Sequence, residues 1–264
     1  MNRAQRFLHA GLFVATWMAC GWFLNLDAYA YLLLGIPLCL LFQLFVSRTP
    51  LSSAWVRDTT AIRLDLPGIG LALALAIVPL WYLIQEWPGG NWCLRLYFIL
   101  SLFGAAGVAF AVRKSTAATV RSLLLCLATA GTLGCALVLV VALTRNRSLA
   151  PTFALARFAI EQFLVLLPVQ FVMEEVAFRG VLDTHVHHQQ DSRPLTSALF
   201  LSAMWGWWHL PITAPAAMSA GLIAFPITHA LIGVPLSMCW RRSGNLIVPA
   251  TVHALINAFR NACA

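Results

Sequence analysis

Four polar positions in an otherwise apolar chain have the types and spacings of a hydrolytic site. The stretch FVMEEVAFRG, Phe171 to Gly180, carries Glu174 and Glu175, with Arg179 one helical turn beyond the second. WGWWHLP, Trp205 to Pro211, ends an apolar run on His209. PATVHALINAF, Pro249 to Phe259, sets His253 and Asn257 at i and i+4. Adjacent side chains on a helix point about 100° apart, so the two glutamates serve different surfaces. Glu175 and Arg179 can pair at i and i+4. Glu174 then has no local cation, and a buried carboxylate of that kind is a candidate general base. His253 and Asn257 share one helical face, where two hydrogen-bond donors can hold an oxyanion. A base, two histidines and an asparagine from three apolar segments make up a site that activates water.

Each of these groups also has a purely structural use. The glutamate pair can sit at the water interface, and the tryptophans can form an interfacial belt. His209, or the pair of His253 and Asn257, can be interhelical hydrogen bonders. His229 is a rival histidine, ranked below His253 because its i+4 neighbour Gly233 offers no side chain.

The elements that position these residues follow from composition. The chain has 264 residues, 61% hydrophobic and 10% charged, where soluble domains carry about 25% charged residues. Such a chain cannot cover itself with polar groups, so its solvent is mostly lipid. The expected fold class is all-α, a polytopic transmembrane helical bundle of eight or nine spans. With about 20 apolar residues per crossing, the windows fall at 7–24, 28–46, 67–85, 93–112, 122–143, 153–173, 195–213, 216–238 and 245–262. Pro226 and Pro235 interrupt the eighth window, which is why eight spans is the alternative.

Residues 1–150 are expected to be an N-terminal transmembrane scaffold region. Residues 151–264 hold Glu161, Glu174, Glu175, His209, His229, His253 and Asn257 in or beside apolar segments, so they are expected to be the catalytic helical core. Arg95 lies close enough to the start of its window to snorkel to the interface.

The net charge of +8 is a topology signal. Arg3 and Arg6, then Arg48, Arg57 and Arg63, then Arg113, Lys114 and Arg121, then Arg179 and Arg193, then Arg241 and Arg242 occupy alternate connections. Arg145, Arg147 and Arg260 are the main cations of the other side. By the positive-inside rule the N-terminus is expected in the cytoplasm, with the protein in a plasma or inner membrane. No nucleic-acid partner is implied. The first apolar run, ending near AYA, is expected to be retained as a helix rather than cleaved. The seven cysteines form no CxxC pair and suggest neither a disulfide framework nor a zinc cluster. The stretch from Asp183 to Pro194, with His185, His187, His188 and Asp191, is expected to be a solvated loop rather than a metal site.

One expectation concerns depth. Glu174 falls near the end of the sixth window, whereas His209 would lie well inside the seventh. The two can meet if the sixth helix continues through VAFRGVLDTHV, a segment without proline.

The order EExxxR, then a histidine closing an aromatic motif, then HxxxN resembles the CPBP family of type II CAAX prenyl endopeptidases and bacterial intramembrane proteases. The chain carries it as EEVAFR, WGWWH and HALIN, over roughly residues 150–264. Trp205 stands where the family commonly has Phe. The resemblance implies an intramembrane endopeptidase that hydrolyses a peptide bond of a membrane-associated protein or peptide. It implies that Glu174 and His209 activate water, that His253 and Asn257 hold the oxyanion, and that Glu175 and Arg179 support them.

The family's older description as metalloproteases would make Glu174, His209 and His253 zinc ligands. HExxH is absent, and metal-free chemistry without a cofactor is expected. The alternative function is an ion-coupled membrane transporter using the intramembrane Glu and His residues. It predicts duplicated helical halves, and no inverted repeat stands out.

Overall fold

The computed structural model describes residues 1–89, 91–144, 153–188, 194–213 and 215–263. Arg145, Arg147, Asp191 and Arg193 lie outside the described residues. The described helices are α1 (Arg3–Phe23), α2 (Ala28–Ser47), α3 (Leu66–Glu86), α4 (Trp92–Arg113) and α5 (Ala117–Thr144). After them come α6 (Phe153–Gln170, continued by Phe171–Asp183 and Thr184–Val186), α7 (Pro194–Trp208), α8 (Pro215–Ser243) and α9 (Ile247–Cys263). No strand occurs among the described residues. The one extended pairing is an isolated antiparallel bridge between Val56 and Asn245.

Helix starts are written locally. Asp27 caps α2 by accepting from the Ala30 amide at 2.8 Å. Asp65 caps α3 by accepting from Gly68 at 3.0 Å, with Pro67 in the first turn. Thr116 and Thr119 cap α5 reciprocally. Each of these side chains satisfies an amide that the first helical turn leaves unpaired.

Among the described residues six helices are long and apolar enough to cross a membrane: α2, α3, α4, α5, α6 and α8. The expected count of eight or nine spans goes beyond these six. The α7 and α9 segments have 15 and 17 residues, short of the about 20 that a crossing needs. In α1 the apolar run is diluted by Arg3, Gln5, Arg6 and His9. Many large apolar side chains on the span helices point outward, among them Leu73, Ile77, Trp81, Phe103, Val140 and Ile223. A lipid-facing surface requires such residues.

One buried cluster runs from Ala10 to Ile256 and joins α1 and α2 to the C-terminal helices. Trp17 Nε1 donates to the Tyr31 carbonyl at 2.8 Å, and Tyr31 Oη donates to the Trp208 carbonyl at 2.8 Å. The Trp17 and Trp208 rings meet edge to face at 5.0 Å. The α7 helix runs along α8, and α9 along α6.

The α6 helix runs past the sixth window and through VAFRGVLDTHV, the continuation that lets Glu174 and His209 meet. It does not stop near residue 173 but continues to Val186. From Phe171 to Asp183 it is a π-helix, with i→i+5 hydrogen bonds. Such turns usually come singly, often at functional sites. Pro168, which has no amide hydrogen to donate, sits three residues before the wide turns begin. Asp183 and His185, expected in a solvated loop, are buried. Asp183 is gripped by the Arg241 guanidinium, whose Nε donates to Oδ2 at 2.8 Å. His185 packs against Phe42 and His9.

Candidate active site

The continuation of α6 resolves the depth problem. Glu174 lies twelve residues before Val186, and His209 fifteen after Pro194. Both positions lie well inside their helices and both line one cavity, so the side chains can face one another inside the bundle.

The two glutamates do have different surroundings. Glu175 is fully buried and accepts from Arg179 Nη1 at 3.2 Å, the i,i+4 pair expected from spacing. It also takes a bond the sequence could not show, from His253 Nδ1 at 2.8 Å. Among the described residues Glu174 has no cation paired with it. Its Oε2 accepts from Trp205 Nε1 at 3.0 Å.

Trp205 is the hub of the site. The Arg179 guanidinium lies 4.2 Å from its ring centroid, a cation–π contact that shields the charge in a buried place. Its ring meets those of His229 and His253 edge to face, at 4.6 and 5.0 Å. In the sequence Trp205 reads as a belt residue or a Phe substitute. The available signal was its position one turn before His209.

Gly206 explains how α7 and α8 come together. A Cβ there would lie 2.5 Å from the Phe225 carbonyl oxygen, a backbone collision. Only glycine allows the approach that sets the His209 and His229 rings 4.3 Å apart. Gly206→Ala is expected to force the helices apart, destabilise the protein by about 1–3 kcal/mol and lower any turnover the site supports. Thermal unfolding and turnover of the same preparation check both effects.

His209 Nδ1 lies 2.8 Å from the Trp205 carbonyl, and His229 Nδ1 2.8 Å from that of Phe225. A carbonyl only accepts, so each neutral ring carries its proton on Nδ1 and leaves Nε2 as an acceptor. His229 was ranked low because Gly233 follows it by one turn. Gly233 is instead a contact point: a Cβ there would lie 2.6 Å from Ser202 Oγ on α7 and 3.2 Å from Arg179 Nη2.

A cavity of about 690 Å³ opens over these groups. Glu174, His209, His229, His253 and Asn257 all line it, together with Trp205. Glu175 and Arg179 stand behind the lining, and Glu161 is elsewhere, paired with Arg157 on an exposed face. Among the described residues no three His, Cys, Asp or Glu side chains gather as metal ligands would.

Residues 156–259, which run from α6 to α9 and include every residue of this site, match the family model described as type II CAAX prenyl endopeptidase Rce1-like. No curated protein and no solved structure matches the chain. The EEVAFR, WGWWH and HALIN motifs fall wholly within the matched segment, so over residues 156–259 the chain is similar to the Rce1-like type II CAAX prenyl endopeptidases.

Proposed function

We propose that the protein is an intramembrane endopeptidase that cleaves a membrane-associated peptide or protein with water activated by Glu174. The observation that carries this reading is the single cavity lined at once by Glu174, His209, His253 and Asn257. Glu174 takes a proton from water, while His209 Nε2, an acceptor in the tautomer described, orients that water. The hydroxide adds to the scissile carbonyl carbon. The resulting oxyanion receives hydrogen bonds from the Asn257 amide and His253. Glu174 then passes its proton to the leaving amine as the C–N bond breaks.

His253 has a definite requirement in this scheme. Its Nδ1 hydrogen is directed at Glu175, so Nε2 can donate to an oxyanion only when the ring is doubly protonated. Glu175 accepts from the ring at Nδ1, and Arg179 holds Glu175 in place. Asn257→Ala removes one oxyanion donor and is expected to lower kcat by about 10²–10³-fold, with a smaller change in KM. Steady-state kinetics on one cleaved peptide checks this.

The transporter reading loses one member of its path, because Glu161 is drawn to Arg157 on the exposed side of α6. In this proposal residues 1–150 act as scaffold and the N-terminus is cytoplasmic. The test is cleavage of a membrane-peptide library by the purified protein and by Glu174→Gln, with and without a chelator. Cleavage lost in the variant and kept with chelator supports the reading. Cleavage kept by the variant overturns it, and loss with chelator would return a metal to the mechanism.

A further inference from the structure

A second cavity, of about 260 Å³, lies away from the glutamates. It is built where α4 gives way to α5 and α8 to α9, with Lys114, Thr116 and Thr119 on one wall and Arg242, Ser243 and Asn245 on another. The candidate active site takes in the opposite ends of the same helices, at Ala142 of α5 and Cys263 of α9. The two cavities therefore sit toward opposite ends of the bundle.

Three cations from three chain segments meet in the small cavity. Arg57 comes from the α2–α3 connection, Lys114 from the α4–α5 turn and Arg242 from the end of α8. Asp58 is the one carboxylate in the lining, which leaves a surplus of positive charge. The floor is fixed. The Arg57 amide donates to the Gly244 carbonyl at 2.7 Å, Val56 bridges Asn245, and Asn245 Nδ2 donates to the Ala111 carbonyl at 2.7 Å.

The Arg57 guanidinium is steered inward. Its Nη1 donates to the Arg241 carbonyl at 2.9 Å, and its carbon lies 5.3 Å from the Trp240 ring centroid. Burial holds its pKa below the usual arginine value, although Asp58 acts the other way. A group in that position gains from a further anion. The hydroxyls of Thr116, Thr119 and Ser243 are engaged in capping and turn bonds. Lys114 and Arg242, both exposed, make no side-chain hydrogen bond or ion pair to the described residues.

We infer that this cavity binds a phosphate-bearing anion at the level of the lipid headgroups, either the headgroup of an anionic phospholipid or free phosphate. Guanidinium and ammonium donors around one concavity match phosphate oxygens. The volume falls just below the range of about 300–1,000 Å³ typical of drug-sized ligands, which suits a headgroup. The location is also right, since basic pockets between helices at a membrane face take anionic headgroups. The inference is independent of the proteolytic reading.

The experiment uses the full chain purified in neutral detergent. Binding of headgroup-labelled phosphatidylglycerol is compared with labelled phosphatidylcholine, for the wild type, for Lys114→Gln with Arg242→Gln, and for Arg48→Gln with Arg63→Gln. The last pair removes two cations from the same end of the bundle but outside the cavity. The expected result is preference for phosphatidylglycerol, weakened about ten-fold or more by the cavity variant, as loss of a charge-assisted hydrogen bond implies, and little changed in the control variant. Inorganic phosphate, with chloride at matched ionic strength as reference, is added in a second arm. Displacement of the lipid by phosphate identifies the phosphate group itself as the ligand. Lipid binding without displacement identifies the headgroup with its lipid. Equal binding of the two lipids together with no phosphate binding overturns the inference, as does equal weakening in both variants.

Discussion

Glu174→Gln is expected to lower kcat for peptide cleavage by about 10²–10⁴-fold, the range that a positioned general base contributes. Thermal stability should change little, because the glutamine Oε1 can still accept from Trp205 Nε1 at the position now held by Oε2. That combination is what makes the variant informative: the shape of the site is kept and the proton acceptor is removed. It also separates the two glutamates. Glu175→Gln would disturb a fully buried carboxylate that holds Arg179 and His253 together, so its loss of activity would come with loss of stability. Equal stability losses in the two variants, with activity surviving at Glu174→Gln, would remove Glu174 from the role of base.

Arg179→Ala is the variant expected to cost the most stability. Arg179 and Glu175 have side chains 1% and 0% exposed. Removing one partner of such a pair strands the other charge, at a cost of about 3–5 kcal/mol. The alanine also removes the cation from the face of Trp205. A marked fall in the thermal midpoint in detergent is the expected readout, together with loss of activity as His253 and Glu175 shift. Arg179→Lys should recover only part of the stability, because an ammonium keeps the charge but not the planar stacking. Arg179 Nε and Glu175 Oε2 have no hydrogen-bond partner in the described structure. The pair is therefore not optimised for stability, which fits a group kept to orient His253.

Much of the helical frame could be read from the chain because the caps and the apolar runs agree. The windows 67–85 and 93–112 differ from α3 and α4 by one residue at each end, since Asp65 and Asn91 are local start signals. The pairing of Glu175 with Arg179 was legible for the same reason, both partners lying on one turn. The partners of Glu174 and His253 were not. Trp205 is 31 residues from Glu174, and His253 is 78 from Glu175. Local spacing holds no record of contacts made by tertiary packing.

The sixth window closes at residue 173 because hydropathy falls at Glu174 and Arg179, and the absence of proline through VAFRGVLDTHV is the signal that the helix runs on to Val186. Hydropathy takes a charge to mean water, whereas here the charges are matched to each other inside the bundle. The low rank given to His229 has a similar origin: the reading valued a side chain at the next turn, and the fold used the lack of one.

The ties from α1 and α2 to Trp208 bear on how the chain can be divided. A fragment beginning at residue 151 would retain EEVAFR, WGWWH and HALIN, and everything the family model covers. It would lose Trp17 and Tyr31, which cover the Trp208 and Phe178 rings one residue from His209 and one from Arg179. The Trp208 carbonyl, which lies within a transmembrane bundle, would lose its donor from Tyr31. A stretch recognisable by its motifs need not be a unit of folding, and in this chain residues outside the matched segment, Leu32 and Tyr97 among them, form part of the cavity wall.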